Sequence, residues 1–101
     1  MMAPQFNTNT LDPVIHGRVR LGMMAYLASV SVASFGELKQ KLEASDGNLS
    51  THLRKLEDAG YVQVKKSFIG RKPLTEITLS EKGRTAWIGY LGHMQTLLDG
   101  G

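Results

Sequence analysis

Residues 45–62 read Ser45-Asp-Gly-Asn-Leu-Ser-Thr-His-Leu-Arg-Lys-Leu-Glu-Asp-Ala-Gly-Tyr-Val62, and this stretch decides the fold. Its start is marked by Ser45 and Asp46, since either side chain can accept hydrogen bonds from the first free amides of a helix. Its end is marked by Gly60, which stands where a left-handed C-terminal cap is favoured. The sequence therefore predicts a helix over about residues 46–59.

The sides of this predicted helix differ in polarity. With about 100° of rotation per residue, three leucines fall in one narrow, core-facing stripe: Leu49, Leu53 and Leu56. The exposed side carries hydrogen-bonding and basic side chains: Asn48, Ser50, Thr51, Arg54 and Lys55. His52 flanks the stripe, which favours a half-buried, hydrogen-bonded histidine. This distribution is typical of a helix that reads DNA.

A hairpin with a basic tip is predicted directly after this helix. Residues 61–66 and 74–79 alternate as two strands, and residues 69–73 form a loop that contains the turn. The chain from Tyr61 to Thr75 holds no acidic residue and four cations, namely Lys65, Lys66, Arg71 and Lys72. Such a one-sided charge indicates a hairpin that binds a polyanion, and argues against a hairpin whose cations are merely solvated.

The length of 101 residues fits one domain, small enough that a partner subunit could matter for its stability. Hydrophobic content of 42% and charged content of 21% are ordinary for a globular protein and argue against disorder. The absence of cysteine excludes disulfides, thiolate metal sites and thiol redox sensing. The formal net charge of +3 is mildly consistent with a polyanionic partner.

The first ten residues are polar and contain no apolar run of the kind that a signal peptide needs. We therefore expect residues 1–10 to be a flexible tail. No stretch of the sequence approaches the roughly 18 apolar residues of a membrane span. These features predict a cytoplasmic protein with no membrane partner.

A first helix is expected from about Leu11 to Ser29, because Asp12 can cap it and Pro13 suits its first turn. Residues 31–33 are a short extended segment that could join the hairpin as an edge strand. Three methionines of the first and last helices could either fill the core or line an effector pocket: Met23, Met24 and Met94. The sequence leaves open whether an effector exists.

Two more helices complete the chain. A second helix opens on the capping box at residues 34–37, Ser-Phe-Gly-Glu, and should end near Ala44. A last helix should run from Ser80 to about Leu98. Its large apolar residues cover more of its circumference than one small domain needs, which predicts a dimer seam: Trp87, Tyr90, Leu91, Met94, Leu97 and Leu98.

The predicted order is α-β-α-α-β-β-α, a mainly helical α+β fold with a small hairpin. The second and third helices with the turn between them form a helix-turn-helix, and the hairpin is its wing. The folded domain should span residues 11–99. In this arrangement the last helix is free for dimerisation.

The chain resembles single-domain winged-helix transcriptional regulators of the broad MarR/ArsR type. The resemblance spans roughly residues 11–98 and is carried by four motifs: Arg-Val-Arg-Leu at 18–21, Phe-Gly-Glu-Leu at 35–38, the stretch at 47–62 and Ile-Thr-Leu-Ser-Glu-Lys-Gly at 77–83. The last two motifs at this spacing are a fairly specific pairing.

The resemblance implies a homodimer whose third helix enters the major groove and whose wing, about residues 65–74, follows the backbone or the minor groove. It also implies that the first and last helices build the dimer interface, which adds Ile15 to the predicted contacts. Metal-sensing relatives carry cysteines or clustered histidines. Here only His16, His52 and His93 occur, far apart in sequence, so neither metal nor other cofactor is expected.

DNA contacts divide into base reading and phosphate binding. The predicted base-reading residues are Asn48, Ser50, Thr51 and Arg54, whose groups match base edges. The predicted phosphate contacts are Lys39, Lys55, Lys65, Lys66, Arg71 and Lys72. Arg71 could instead enter a narrow minor groove, and Arg54 could pair with Glu57 or Asp58 at helical spacing. Two-fold symmetry would make the double-stranded operator near-palindromic.

The two alternatives to DNA-dependent regulation are a protein interaction module and an enzyme. A winged helix can serve as a protein interaction module without binding DNA, although the one-sided basic wing argues against that reading. An enzyme is the least supported class. The sequence shows no catalytic residue, because it has no cysteine, no histidine and carboxylate in motif spacing, and no glycine-rich phosphate loop.

Overall fold

The computed structural model describes residues 7–100. Within that range the chain forms a 3-10 turn at Thr8–Thr10, four helices and a three-stranded antiparallel sheet. In chain order the elements are α1 (Arg18–Ser29), β1 (Ala33–Ser34), α2 (Phe35–Leu42), α3 (Asp46–Asp58), β2 (Val62–Ile69), β3 (Lys72–Leu79) and α4 (Glu81–Leu98). This order confirms the predicted winged-helix fold. The predicted tail at 1–10 lies mostly outside the described residues, and its last three form the 3-10 turn.

The start of the first helix was predicted wrongly. Asp12 does cap, since its Oδ1 accepts a hydrogen bond of 2.8 Å from the amide of Val14, but it caps a single turn. Gly17 follows in an extended conformation, with φ 161° and ψ 144°, and α1 begins only at Arg18. Glycine is a poor helix former, so the chain can turn here between two helical segments. The turn is anchored by the Tyr61 hydroxyl, which donates to Asp12.

The capping box of α2 is confirmed. The Ser34 hydroxyl accepts from the Glu37 amide at 3.0 Å, and the Glu37 carboxylate accepts from the Ser34 amide at 3.4 Å. The helix ends at Leu42, slightly before the predicted end near Ala44. Glu43 adopts a left-handed conformation with φ 51°, and this reverses the chain toward α3.

The hairpin is paired over its whole length, from Val62 opposite Leu79 to Ile69 opposite Lys72. The strands therefore include most of the segment that was predicted as a loop, and only Gly70 and Arg71 remain as the turn. Proline at position 73 is tolerated in β3 because β1 pairs with β3 only at Ile77 and Glu76, which leaves β3 unpaired on that side near the tip. The predicted edge strand exists at Ala33–Ser34, slightly later than expected.

The three leucines of α3 are buried as predicted, and they join one core built from all the helices and the sheet. Met23 and Met24 are fully buried in it, so they fill the core. Ile15 is also fully buried, and Tyr90 is 2% exposed. The prediction that these two side chains form a dimer interface is therefore wrong, because the turn at residues 12–16 and the inner side of α4 bury them within one chain.

Candidate nucleic-acid interface

The third helix, α3, is held at both ends by the predicted caps. The Ser45 hydroxyl accepts from the Asn48 amide at 3.1 Å. At the other end Gly60 has φ 80°, and the amide of Tyr61 donates to the carbonyl of Leu56 at 2.9 Å. This left-handed cap closes the helix and sends the chain directly into β2. The start and the end of α3 thus follow from local sequence.

All four predicted base-reading side chains are exposed: Asn48, Ser50, Thr51 and Arg54. The Thr51 hydroxyl donates to the carbonyl of Gly47 at 2.9 Å, so it presents its oxygen to solvent mainly as an acceptor. Within residues 7–100 Arg54 forms no ion pair, and the alternative pairing with Glu57 or Asp58 is not observed. The Arg54 guanidinium therefore keeps its donors for another partner.

An open groove runs between α3 and one face of the hairpin, with a volume of about 740 Å³. The wall formed by α3 includes Ser50, Thr51, Arg54 and Lys55, and the opposite wall includes Lys66 and Thr75. The fold thus brings three predicted base readers together with two predicted phosphate contacts. Asn48 is exposed on α3 but does not line this groove, and Glu57 and Asp58 add acidic groups to its edge.

The two adjacent lysines of the wing lie on opposite faces of the hairpin. Side chains alternate along a strand, so Lys66 points to the α3 side and Lys65 to the other. On that other face Lys65 is directly opposite Glu76, the first acid after the basic segment. The pairing of Lys65 with Glu76 was not predicted from the sequence, because it depends on the register of the two strands. The predicted phosphate contact is thus better placed at Lys66 than at Lys65.

The remaining predicted phosphate contacts are Arg71 and Lys72 at the wing tip, Lys55 on α3 and Lys39 on α2. Arg71, Lys72 and Lys55 are exposed. The Lys39 ammonium lies 2.8 Å from the carboxylate of Asp46, which opens α3. This ion pair links the two helices of the helix-turn-helix and competes with any phosphate for Lys39. Both groups are substantially exposed, so the pair adds little stability.

A cluster of side chains connects α1 to α3 through Arg20 and His52. It was not predicted from the sequence. The Arg20 guanidinium bonds to the carbonyl of Val14 and, at 2.8 Å, to Nδ1 of His52. Because arginine is only a donor, His52 accepts at Nδ1 and is neutral. Burial, and then the charges of Arg20, Lys55 and Arg18, lower the pKa of His52. The predicted half-buried, hydrogen-bonded state of His52 is confirmed.

The outer side of α4 exposes an apolar strip. Ile88 is 64% exposed, Leu91 47% and Leu98 73%, whereas Trp87, Met94 and Leu97 are half-buried. Ile88 was not among the predicted seam residues, although its spacing of three from Leu91 was visible in the sequence. Tyr90 faces inward, stacks on Trp87 with ring centroids 5.9 Å apart, and shares a hydrogen bond of 2.8 Å with Nδ1 of His16.

The domain is elongated. Its radius of gyration is 15.5 Å, against about 12.5 Å for a compact chain of this size, and its longest dimension is 64 Å. None of the described helices is both long and apolar enough to cross a membrane. No group of three potential metal-binding side chains forms in the part of the chain that the structure describes.

The sequence signature of the winged helix DNA-binding domain matches residues 19–98. An uncharacterised protein from Methanocaldococcus jannaschii is 40% identical over 78 residues, which are 77% of this chain and 85% of that protein. The structure of a transcriptional regulator homologue from Pyrococcus horikoshii is similar with a TM-score of 0.81 and 30% identity, and the match covers 86% of each chain.

A MarR-family transcriptional regulator from Silicibacter pomeroyi shares the fold, with a TM-score of 0.65 at 19% identity over 85% of this chain and 57% of that one. The predicted winged-helix fold, which these MarR- and ArsR-family structures share, is thus confirmed. The family that matches most of the chain is a DNA-binding domain family, in line with the prediction that the chain is not an enzyme.

Proposed function

The chain belongs to the winged helix DNA-binding domain family, and on that premise we propose that it is a homodimeric transcriptional repressor that binds a near-palindromic double-stranded operator. Helix α3 enters the major groove, and wing residues 65–74 lie along the adjoining backbone or in the minor groove. The protein works in the cytoplasm.

One observation carries this proposal: the exposed polar side of α3 and the basic face of the wing line one open groove. Arg54 stands there without an ion pair in the described chain, so its guanidinium is available to the two acceptors that guanine presents in the major groove. Asn48, Ser50 and Thr51 extend the base-reading surface along the same helix.

The phosphate contacts come from the cations that border this surface. Lys66 and Lys55 line the groove, and Arg71 and Lys72 extend it to the wing tip. Lys39 and Lys65 are weaker contributors, because each has a carboxylate as neighbour. If a dimer neutralises about 6 to 10 phosphates, affinity falls on the order of 10³- to 10⁵-fold between 50 and 200 mM salt.

The apolar strip on α4 supports the homodimer. Three large side chains are exposed along it, and three more are only half-covered. Isolated apolar residues are common on surfaces, but a strip of large apolar side chains along one helix is typical of an interface. The seam we propose contains Leu91, Met94, Leu97, Leu98 and Trp87, with Ile88 added.

Selection of bound duplexes from a random pool, followed by footprinting, tests the proposal directly. We expect an inverted repeat whose half-sites are about 10 base pairs, roughly 34 Å, apart. Failure of the purified protein to bind any duplex in dilute salt would refute it. That result would favour the alternative of a winged helix that binds another protein.

A further inference from the structure

The tip of the wing carries two large apolar side chains in the open. Phe68 is 71% exposed and Ile69 is 67% exposed, and neither packs on the core. Phe68 lies six residues beyond the buried Val62, which corresponds to about 20 Å along the strand. The fold does not need these side chains for burial. Their exposure in water is unfavourable, so a role outside the folded chain is indicated.

The register of the hairpin determines which way Phe68 points. Phe68 is two residues beyond Lys66, so it shares the sheet face that lines the groove beside α3. Its cross-strand neighbour on that face is Pro73, another apolar residue. Ile69 points to the opposite face. The apolar end of the wing is therefore directed toward the same side as the polar surface of α3.

Cations surround this apolar end. Lys66 precedes Phe68 on the same face, and Arg71 and Lys72 complete the turn, with no acid between Tyr61 and Thr75. A partner must therefore combine negative charge at its edges with an apolar interior. A second copy of this wing fails the first requirement, because like charges repel. The minor groove of duplex DNA satisfies both, since two rows of phosphates flank stacked bases.

We propose that Phe68 enters the minor groove beside each half-site and acts as an apolar wedge against a flexible base step. The groove is about 6 Å wide, so the side chain enters and the hairpin backbone stays outside. Lys66, Arg71 and Lys72 bind the flanking phosphates. This inference rests on the proposed DNA binding and adds a source of sequence preference that uses no hydrogen bond to a base.

Such a wedge selects bases through deformability. Steps of the TA and CA type unstack most easily, so they accept an inserted ring at the lowest cost. Preference for these steps is therefore expected in the flanks of the operator, outside the positions that α3 contacts. The bent duplex would also follow the wing more closely.

The test uses the duplex that the wild-type protein selects from a random pool, with 2-aminopurine placed in turn at each flanking position. Wild-type protein should raise the fluorescence at one step in each flank, because unstacking relieves quenching. Phe68→Ala should abolish this signal and weaken binding about tenfold with an unchanged salt slope. Phe68→Leu should restore much of both. Lys72→Ala is the matched control, which should keep the signal and lower the salt slope.

Several outcomes would overturn the inference. If Phe68→Ala binds the duplex and unstacks it as the wild type does, the wedge is absent although DNA binding stands. The same conclusion follows if Phe68→Ala leaves DNA binding intact but abolishes binding to vesicles of anionic phosphatidylserine, or self-association. If the wild type binds no duplex even in dilute salt, the proposed function fails and the wedge fails with it.

Discussion

A Cβ atom at Gly83 would overlap the carbonyl oxygen of Tyr61. The same oxygen accepts a hydrogen bond of 2.9 Å from the amide of Ser80, the N-cap of α4. The first turn of α4 therefore rests directly on the backbone at the start of the wing. This contact joins the proposed dimerisation helix to the proposed DNA-binding elements.

Replacement of Gly83 with alanine should destabilise the protein by about 1 to 3 kcal/mol, because the new methyl group forces α4 away from Tyr61. Alanine normally stabilises a helix relative to glycine by about 1 kcal/mol. Gly36→Ala in α2 is the control, since beyond its chain neighbours and the backbone of its own helix no atom lies within 4 Å of its Cβ position. Urea denaturation measures both variants. A Gly83→Ala protein as stable as the wild type would show that this packing is not tight.

Arg54 and Lys72 should differ in what they contribute to binding. Arg54→Ala should cost about 1 to 3 kcal/mol on the operator and relax base choice at one position, because it removes a base-edge contact. Lys72→Ala should weaken all duplexes alike and reduce the salt slope by about 1. Gel shifts on selected and random duplexes at several salt concentrations separate the two. Equal losses on both duplexes for both variants would contradict this division.

Adjacent lysines of the wing offer a sharper comparison. Lys66→Ala should lower DNA affinity more than Lys65→Ala, since Lys66 lines the groove beside α3 and Lys65 stands opposite Glu76 on the other face. The slope of log affinity against log salt concentration should become shallower by about 0.9 in Lys66→Ala, because one phosphate contact is lost. It should change less in Lys65→Ala. Fluorescence anisotropy measures both. The reverse order would mean that the wing approaches DNA with its outer face.

Acidification should destabilise the protein through His52. Its folded pKa lies below the value of about 6.5 expected in the unfolded chain, because burial and then Arg20, Lys55 and Arg18 disfavour its charge. Between those two values the unfolded chain binds more protons, so stability falls as pH drops below about 6.5.

The variant His52→Asn isolates this effect, since the amide oxygen can still accept from Arg20 but does not titrate. Unfolding between pH 8 and 5 should show a shallower pH dependence for this variant than for the wild type. Identical curves would assign the acid sensitivity to other groups.

The proposed dimer should depend on the strip along α4. Leu91→Glu places a charge in the proposed seam, and we expect monomers in sedimentation equilibrium together with weaker binding to a two-half-site operator. Val32→Glu is the matched control, because Val32 is similarly exposed but immediately precedes β1 and is not part of α4. A Leu91→Glu protein that remains dimeric would locate the interface elsewhere.

Local patterns predicted most of the elements well. The caps of α3, the capping box of α2 and the leucine stripe depend on residues within one or two turns of each other, and all three are observed. The predicted start of the first helix was wrong because a capping residue such as Asp12 indicates where a helical turn begins, but not how many turns follow. Gly17 ended it.

Apart from the exposed Ile88 on α4, the properties of the site that the sequence did not predict involve residues distant in sequence. Strand register brings Glu76 to Lys65, and the packing of α1 on α3 brings Arg20 to His52. Burial of Tyr90 depends on which side of α4 meets α1, which its periodicity leaves open because apolar residues surround most of the helix.

Short-range hydrogen bonding and hydrophobic periodicity were enough to derive a helix-turn-helix with a basic wing, because those forces act between residues that are neighbours in the chain. The direction of each wing side chain, the neutral state of His52 and the split of the apolar residues of α4 between core and surface required the assembled fold. Those features arise from contacts across the domain, whose geometry no single segment contains.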